Sequence, residues 1–351
     1  MSRSPLSIPY SVLALIIAVG AAAIFMALQP PKPIMSRWGA ASAGGQTIGG
    51  EARAEAAPAP LGGVAQPFGS GQAMLESYAQ ASALREDVGG GQVRMFQREV
   101  AGGALDFIVV RLGGAAQVAV VNADGATPAS DAGGDTMWAD GQRHLRTVQE
   151  MATAPYAARA GHELLGAMAF GFHGDVRTSD EGSVVIDGQV LRSNPGRATL
   201  CIGGQGHASI GMLSTKALEG CQQAIGGGPV ILWEGRVAST DVGSVQGELV
   251  PFNPLGEDFV LLDWRRHIYT GSFPKTAACV GLLDSGESFL VLATSFNMVG
   301  VDLARQLRDM GCYAALGGDD DTSTQLVWRG QLVREKTIRP VPDAIAVYIR
   351  Q

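Results

Sequence analysis

Asp319, Asp320 and Asp321 stand consecutively in LGGDDDTSTQL, residues 316–326, between two short apolar segments. Side by side on a loop, three carboxylates repel one another unless water, a cation or a donor-rich ligand offsets the charge. Such a group can act as a general acid or base, as a Ca²⁺ or Mg²⁺ ligand set, or as a plain solvated turn. Ser323 and Thr324 follow within the same loop, and their hydroxyls are donors suited to sugar or phosphate oxygens. Other chemistries find little support, because the chain has no G-x-S-x-G elbow, no H-E-x-x-H, no P-loop and no G-x-G-x-x-G after a strand. The five histidines, His144, His162, His173, His207 and His267, are scattered without ligand spacing.

The acidic loop needs a rigid carrier. Upstream, VDLARQLRDMG places Leu303, Leu307 and Met310 on one helical face, with Gly311 as the C-terminal stop. CYAAL then predicts a short buried strand, and TQLVWRGQLV a hairpin turning at Arg329-Gly330. The loop therefore joins a strand to a hairpin, a place where scaffolds commonly present functional side chains. Earlier, LDFIVVRLGGAAQVAVVN predicts a hairpin around Gly113-Gly114. Thr147 and Glu150 have capping-box spacing, so a helix starts at Thr147 and stops by Pro155. EGSVVIDGQVL predicts a hairpin at Asp187-Gly188, and RATLCIGG and PVILWEGRVA add strands. Strands outnumber helices in an irregular order without repeats, which predicts an α+β class: a mixed β-sheet domain with flanking helices.

Composition is consistent with that class. The 351 residues are 46% hydrophobic and 17% charged, enough for a core and against wholesale disorder. Forty-eight glycines favour tight turns between strands. A formal charge of -7 without a Lys/Arg cluster argues against a nucleic-acid partner. YSVLALIIAVGAAAIFMAL, Tyr10 to Leu28, carries no charge and as a helix comes close to the ~30 Å of a bilayer core. A cleaved signal peptide is the competing reading, but its apolar region normally runs about 7–15 residues. The A-x-A match at Ala41-Ser42-Ala43 lies far beyond the run.

The expected order is a short tail at 1–9, a transmembrane anchor at 10–28 and a Pro/Ala/Gly-rich flexible linker at 29–70. A peripheral amphipathic helix at 71–91, ended by Gly89-Gly90-Gly91, and a globular domain at 92–351 complete it. Arg3 before the apolar run and Lys32 and Arg37 after it leave the orientation open. Cys201, Cys221, Cys279 and Cys312 lack C-x-x-C spacing, and an even number behind an export-like N-terminus is compatible with two disulfides. Of three possible pairings, Cys201–Cys221 with Cys279–Cys312 is favoured; four separate buried thiols are the alternative. The expected location is a single-pass membrane protein with its C-terminal domain extracytoplasmic.

From about Glu99 to Gln351 the segments resemble the phosphodiester glycosidase family. TVQEMA looks like the family helix before an N-G-G-F-F-type stretch, and AMAFGFHGDVRTSDEGSVVIDGQVL like that stretch and its glycine hairpin. GGGPVILWEGRVA is similar to a G-P-x-L segment and FPKTAACVGLLDSG to a P-R-T-A-x-G strand. VDLARQLRDMGCYAALGGDDDTSTQL resembles the helix, strand and D-G-G-G-S-S loop, and IRPVPDAIAVYI the closing R-x-V-P-N-A-I strand. The chain also departs from the pattern. Ala169 falls at the family asparagine, while Gly171 and Phe172 are retained and His173 replaces an aromatic. Lys275 replaces the motif arginine, followed by the expected Thr276. Gly318 falls at the motif aspartate and Asp319 to Asp321 on the glycines, so a local shift would give Asp319 the carboxylate role. Arg339 matches the last arginine.

The resemblance implies an enzyme that acts on sugar phosphodiesters or related envelope glycans. Cleaving such a bond builds oxocarbenium character on the sugar, which a carboxylate from Asp319 to Asp321 would handle with His173 nearby. The leaving phosphate monoester is a weak base that calls for cations and donors, here Lys275 and Arg339 with Thr276, Ser323 and Thr324. Lysine keeps the charge but loses the bidentate fork of arginine. Asp175 and Arg177 line the same cleft or pair with each other. The alternative is a catalytically degenerate member serving as a glycan-binding or envelope-assembly subunit. Beyond Ca²⁺ or Mg²⁺ at the acidic loop no cofactor is expected, and the expected partners are a glycan substrate and the membrane.

Overall fold

Runs such as FIVV and FLVLA are apolar at successive positions, so only a sheet covered on both faces can bury them. The computed structural model describes residues 63–123, 145–171, 182–245, 248–257 and 262–351, and there the two runs are central neighbours in an eight-stranded sheet. Its order is Ala83–Val88, Val93–Val100, Gly103–Arg111, Ser288–Phe296, Lys275–Leu282, Cys312–Gly317, Val230–Trp233 and Arg236–Val237. One five-stranded sheet runs Gln331–Leu332, Leu326–Trp328, His162–Ala169, Asp343–Arg350, Ala116–Asn122. Another runs Gln189–Arg192, Val184–Ile186, Gln223–Gly226, Ala198–Ile202, Ala208–Met212. The α+β class holds. Among the described residues every strand pairing is antiparallel, a finer point than the mixed sheet expected.

Local chemistry set several elements as expected. Thr147 closes a capping box with Glu150 ahead of the helix Val148–Thr153. Asp187-Gly188 and Arg329-Gly330 both take positive φ, the backbone that two-residue hairpins require. The helix Gly300–Asp309 buries Leu303 and Leu307, and Gly311 follows at φ 86 as its left-handed stop. Disulfides join Cys201 to Cys221 and Cys279 to Cys312, the favoured pairing.

Three expectations give way. The peripheral helix expected over 71–91 is only Gln72–Gln80, and Ala83–Val88 is an edge strand of the large sheet. That helix is also part of the core: Leu75 is fully buried, with Tyr78 and Ala79 beside it. The end of the supposed linker is docked too, since Ala65 is buried and its N–H donates to the Ile210 carbonyl at 2.9 Å. Finally, Gly113-Gly114 does not turn a hairpin. Gly103–Arg111 pairs with Ser288–Phe296, whereas Ala116–Asn122 pairs with Asp343–Arg350 in a different sheet, so each run finds its partner far along the chain. No helix among the described residues is long and apolar enough to cross a membrane, and Tyr10 to Leu28 lies outside them.

Candidate active site

Antiparallel pairing of Lys275–Leu282 with Cys312–Gly317 sets the start of one strand beside the end of the other, with Ala277 opposite Gly317. The acidic loop therefore leaves the sheet where Lys275 enters it. The loop is sewn down by backbone bonds: Gly318 N–H to the Thr276 carbonyl at 3.0 Å, Asp319 N–H to the Phe170 carbonyl at 2.9 Å, and Asp321 N–H to the Pro274 carbonyl at 2.8 Å. Gly318 has to be glycine, since a Cβ there would lie 2.5 Å from the Thr276 hydroxyl and 2.8 Å from Phe170.

The three aspartates are sorted by this geometry. Asp319 points inward, its side chain 2% exposed, and accepts from the Arg339 guanidinium at 3.0 Å and from the Asp320 N–H at 2.9 Å. The Thr276 hydroxyl donates to the Asp319 carbonyl at 2.5 Å, and Arg339 Nε donates to Ser323 Oγ. Asp320 lines a pit with Lys275, Thr276, Gly228, Gly317 and Gly318. Asp321 is exposed at φ 52, starts a short 3-10 turn, and offers its carbonyl to Lys336. Thr324 is buried, its hydroxyl without a hydrogen-bond partner among the described residues.

Lys275 is 4% exposed, and its Nζ has no hydrogen-bond partner among the described residues. It lies 3.2 Å from the centroid of the Phe273 ring. Burial pulls the ammonium below the ordinary lysine range, against the opposing pull of Asp320 and Asp321. Burial pushes Asp320 above the ordinary carboxylate range, the Asp319 charge adds to the rise, and Lys275 counters it. The two titrate as a pair. Their pit measures only about 10 Å³, room for about one water-sized group. It fits a single phosphate oxygen and not a sugar ring, which has to rest outside.

The structure thus brings together Asp319, Asp320, Asp321, Lys275, Thr276, Ser323 and Arg339. His173, Asp175 and Arg177 lie outside the described residues. A Ca²⁺ or Mg²⁺ set at the loop does not fit: the Asp319 carboxylate faces a guanidinium, and no cluster of three or more His, Cys, Asp or Glu among the described residues could hold a metal. Sequence reasoning missed Asp343, fully buried, whose carboxylate accepts from Gly171 N–H at 2.6 Å beside the Phe170 carbonyl that Asp319 uses. Its signal was present, as the aspartate in VPDAI stands where the resemblance has asparagine. Lys336 was missed as well, and no sequence signal marks it.

A sheet-dominated α+β domain with a cation and a carboxyl lining one pit at its strand ends is the class that fold and site define. The chain belongs to the phosphodiester glycosidase family, whose model matches residues 163–348, from the His162–Ala169 strand through the acidic loop and Arg339. Membership supports a glycosidase-like, hydrolytic function. Among solved structures, a hypothetical protein from Synechocystis superposes with a TM-score of 0.54 at 14% identity, over 78% of this chain and 65% of that one. The chain therefore spans just under two thirds of that protein's length. The catalytic domain of zebrafish N-acetylglucosamine-1-phosphodiester alpha-N-acetylglucosaminidase, auto-inhibited by its pro-peptide, superposes with a TM-score of 0.51 at 16% identity, over 82% of this chain and 95% of that one. At such identities both likenesses show the fold alone. No curated protein matches the chain.

Proposed function

We propose that the chain is a membrane-anchored, extracytoplasmic glycosidase that hydrolyses the bond between a sugar and the phosphate of an envelope phosphodiester glycan. The meeting of a buried cation, Lys275, with a pit-lining carboxyl, Asp320, carries the reading. The anomeric carbon–oxygen bond breaks, and its electron pair leaves with the phosphate monoester, whose growing charge the Lys275 ammonium neutralises. Water attacks the oxocarbenium-like carbon as Asp320 takes its proton. Asp319 holds Arg339, and together they fix the loop. The disulfides support an oxidising compartment. The uncharged run from Tyr10 to Leu28 supports the anchor.

Sugar release from a panel of sugar-1-phosphodiesters tests this. Asp320 must be ionised, so activity rises as pH climbs through its raised value. Lys275 must be charged, so activity falls as pH climbs through its lowered value. The expected profile is a bell whose limbs are drawn toward each other from the ordinary carboxylate and lysine ranges. Asp320→Asn is expected to lower kcat about 10²- to 10⁴-fold and to remove the acid limb. Full turnover in that variant sinks the assignment. A binding or assembly subunit without turnover is favoured by one observation, that Arg339 is already engaged by Asp319 and Ser323. Glycan binding by the wild type with no release from any substrate would select it.

A further inference from the structure

The chain as a whole is acidic, with a formal charge of -7, and several of its cations have no carboxylate partner among the described residues. Two of them line one groove. It measures about 420 Å³ and is walled by Arg85, Gln97, Arg98, Glu99, Val333 and Arg334, with Ala83 at its rim. Arg85 is exposed on the edge strand and donates to the Gln97 side chain. Arg98 lies 4.0 Å over the Tyr78 ring and donates to that residue's carbonyl at 3.4 Å. Neither is ion-paired among the described residues, and the lining carboxylate, Glu99, is met by Arg334 at 3.4 Å. The exposed Arg85 and the half-buried Arg98 thus place two guanidiniums without a carboxylate partner at one concavity, the arrangement that suits a phosphate.

The groove is linked to the candidate site. Arg334 is anchored from below by the fully buried Asp106 and lies 5.2 Å over the Phe296 ring. Lys336 Nζ sits 5.8 Å from the same ring and donates to the carbonyl of Asp321. Phe296 therefore lies within reach of two cations, one lining the groove and one bonded to the acidic loop. Burial lowers the Lys336 pKa while Asp321 and Asp320 raise it, which ties this cation to the same carboxylates.

We infer that the groove is a subsite for a further phosphate of a polymeric phosphodiester glycan whose scissile linkage lies at Asp320 and Lys275, with Arg334 and Lys336 bridging the two places. This deepens the hydrolytic reading and rests on it. A substrate with one phosphate engages the pit, through a phosphate oxygen, and not the groove. A chain with repeating phosphates also engages Arg85 and Arg98, which raises its effective concentration at the reacting bond.

The test uses the full chain and a fluorescent glycerol-phosphate oligomer, with neutral dextran as the uncharged control. Anisotropy is expected to report salt-sensitive binding of the oligomer and none of dextran. Arg85→Glu is expected to weaken binding about tenfold and Arg85→Gln less. Arg236→Glu, exposed on the opposite edge strand of the same sheet, is expected to leave it unchanged. Sugar release from a single-phosphate substrate is expected to be untouched by all three. If the wild type binds the oligomer through Arg85 but cleaves nothing, the hydrolytic reading falls and the subsite stands. If the oligomer does not bind, or binds equally to wild type and Arg85→Glu, the subsite is overturned while hydrolysis of single-phosphate substrates is left intact.

Discussion

Lys275→Met is expected to stabilise the domain while nearly abolishing turnover. The Nζ is buried, has no hydrogen-bond partner among the described residues and rests on the Phe273 ring. A buried donor without an acceptor costs about 1–3 kcal/mol, and methionine fills a similar volume with a thioether that tolerates an aromatic neighbour. The sign with pH follows from the lowered pKa. The native state resists protonating Lys275 that the unfolded chain protonates freely, so the wild type carries this penalty below the lowered value and sheds it as pH rises toward the ordinary lysine range. The gain from methionine is therefore largest at mildly acidic pH and shrinks on the alkaline side. Catalysis moves the other way: with the cation gone, the departing phosphate has lost its charge partner in the pit, a loss of about 10²- to 10³-fold in kcat. Thermal unfolding at about pH 6 and about pH 9, beside sugar-release assays, measures both. A variant that is less stable at the lower pH, or that turns over like the wild type, removes Lys275 from the role given to it. Such a trade of stability for function is common where a site holds a group its surroundings would rather exclude.

What the sequence disclosed and what it withheld divide along a physical line. Features written in a few adjacent residues were legible: the Thr147–Glu150 capping box, the hairpins at Asp187-Gly188 and Arg329-Gly330, and the helix face of Leu303 and Leu307. Ala83–Val88 was not, because all six of its residues form an exposed or half-exposed, charge-bearing edge with no alternation between a buried and a solvent face to reveal a strand. The fate of the Gly113-Gly114 turn was not legible either, since whether two strands pair is decided by partners far along the chain, in Ser288–Phe296 and Asp343–Arg350. At the site, the residue types were visible but their division of labour was not. Which aspartate turns inward depends on loop backbone: Asp321 at φ 52 turns outward, Asp319 is locked by the Phe170 carbonyl, and Asp320 is left at the pit. Asp343 shows the reverse case, a legible substitution whose meaning needed the contact with Gly171.

Glu257→Ala is expected to cost about 3–5 kcal/mol although it lies outside the pit. The Glu257 carboxylate is fully buried and receives the Val230 N–H at 2.9 Å, the Ala198 N–H at 3.3 Å and Arg265 at 3.5 Å, with the Arg265 side chain only 2% exposed. It thereby ties the first residues of two strands in different sheets to the helix Leu262–Thr270. Alanine would leave two strand-end donors without their acceptor and a buried guanidinium without the carboxylate it faces, which is far costlier than losing a surface pair. Between those strand ends run Gly226 to Pro229, where Arg197, itself fully buried, donates to the Gly227 carbonyl at 3.0 Å and Gly228 N–H donates to the Gly317 carbonyl at 2.7 Å. Gly228 and Gly317 are walls of the pit. Loosening Glu257 should therefore lower kcat as well, through a displaced wall. Urea unfolding should show a lower midpoint at unchanged slope. The double replacement Glu257→Leu with Arg265→Met, which removes both charges together, should recover much of the loss. If the single and double variants are equally unstable, the cost lies in packing and not in the stranded charge; if the single variant unfolds like the wild type, this carboxylate does not hold the two sheets to the helix.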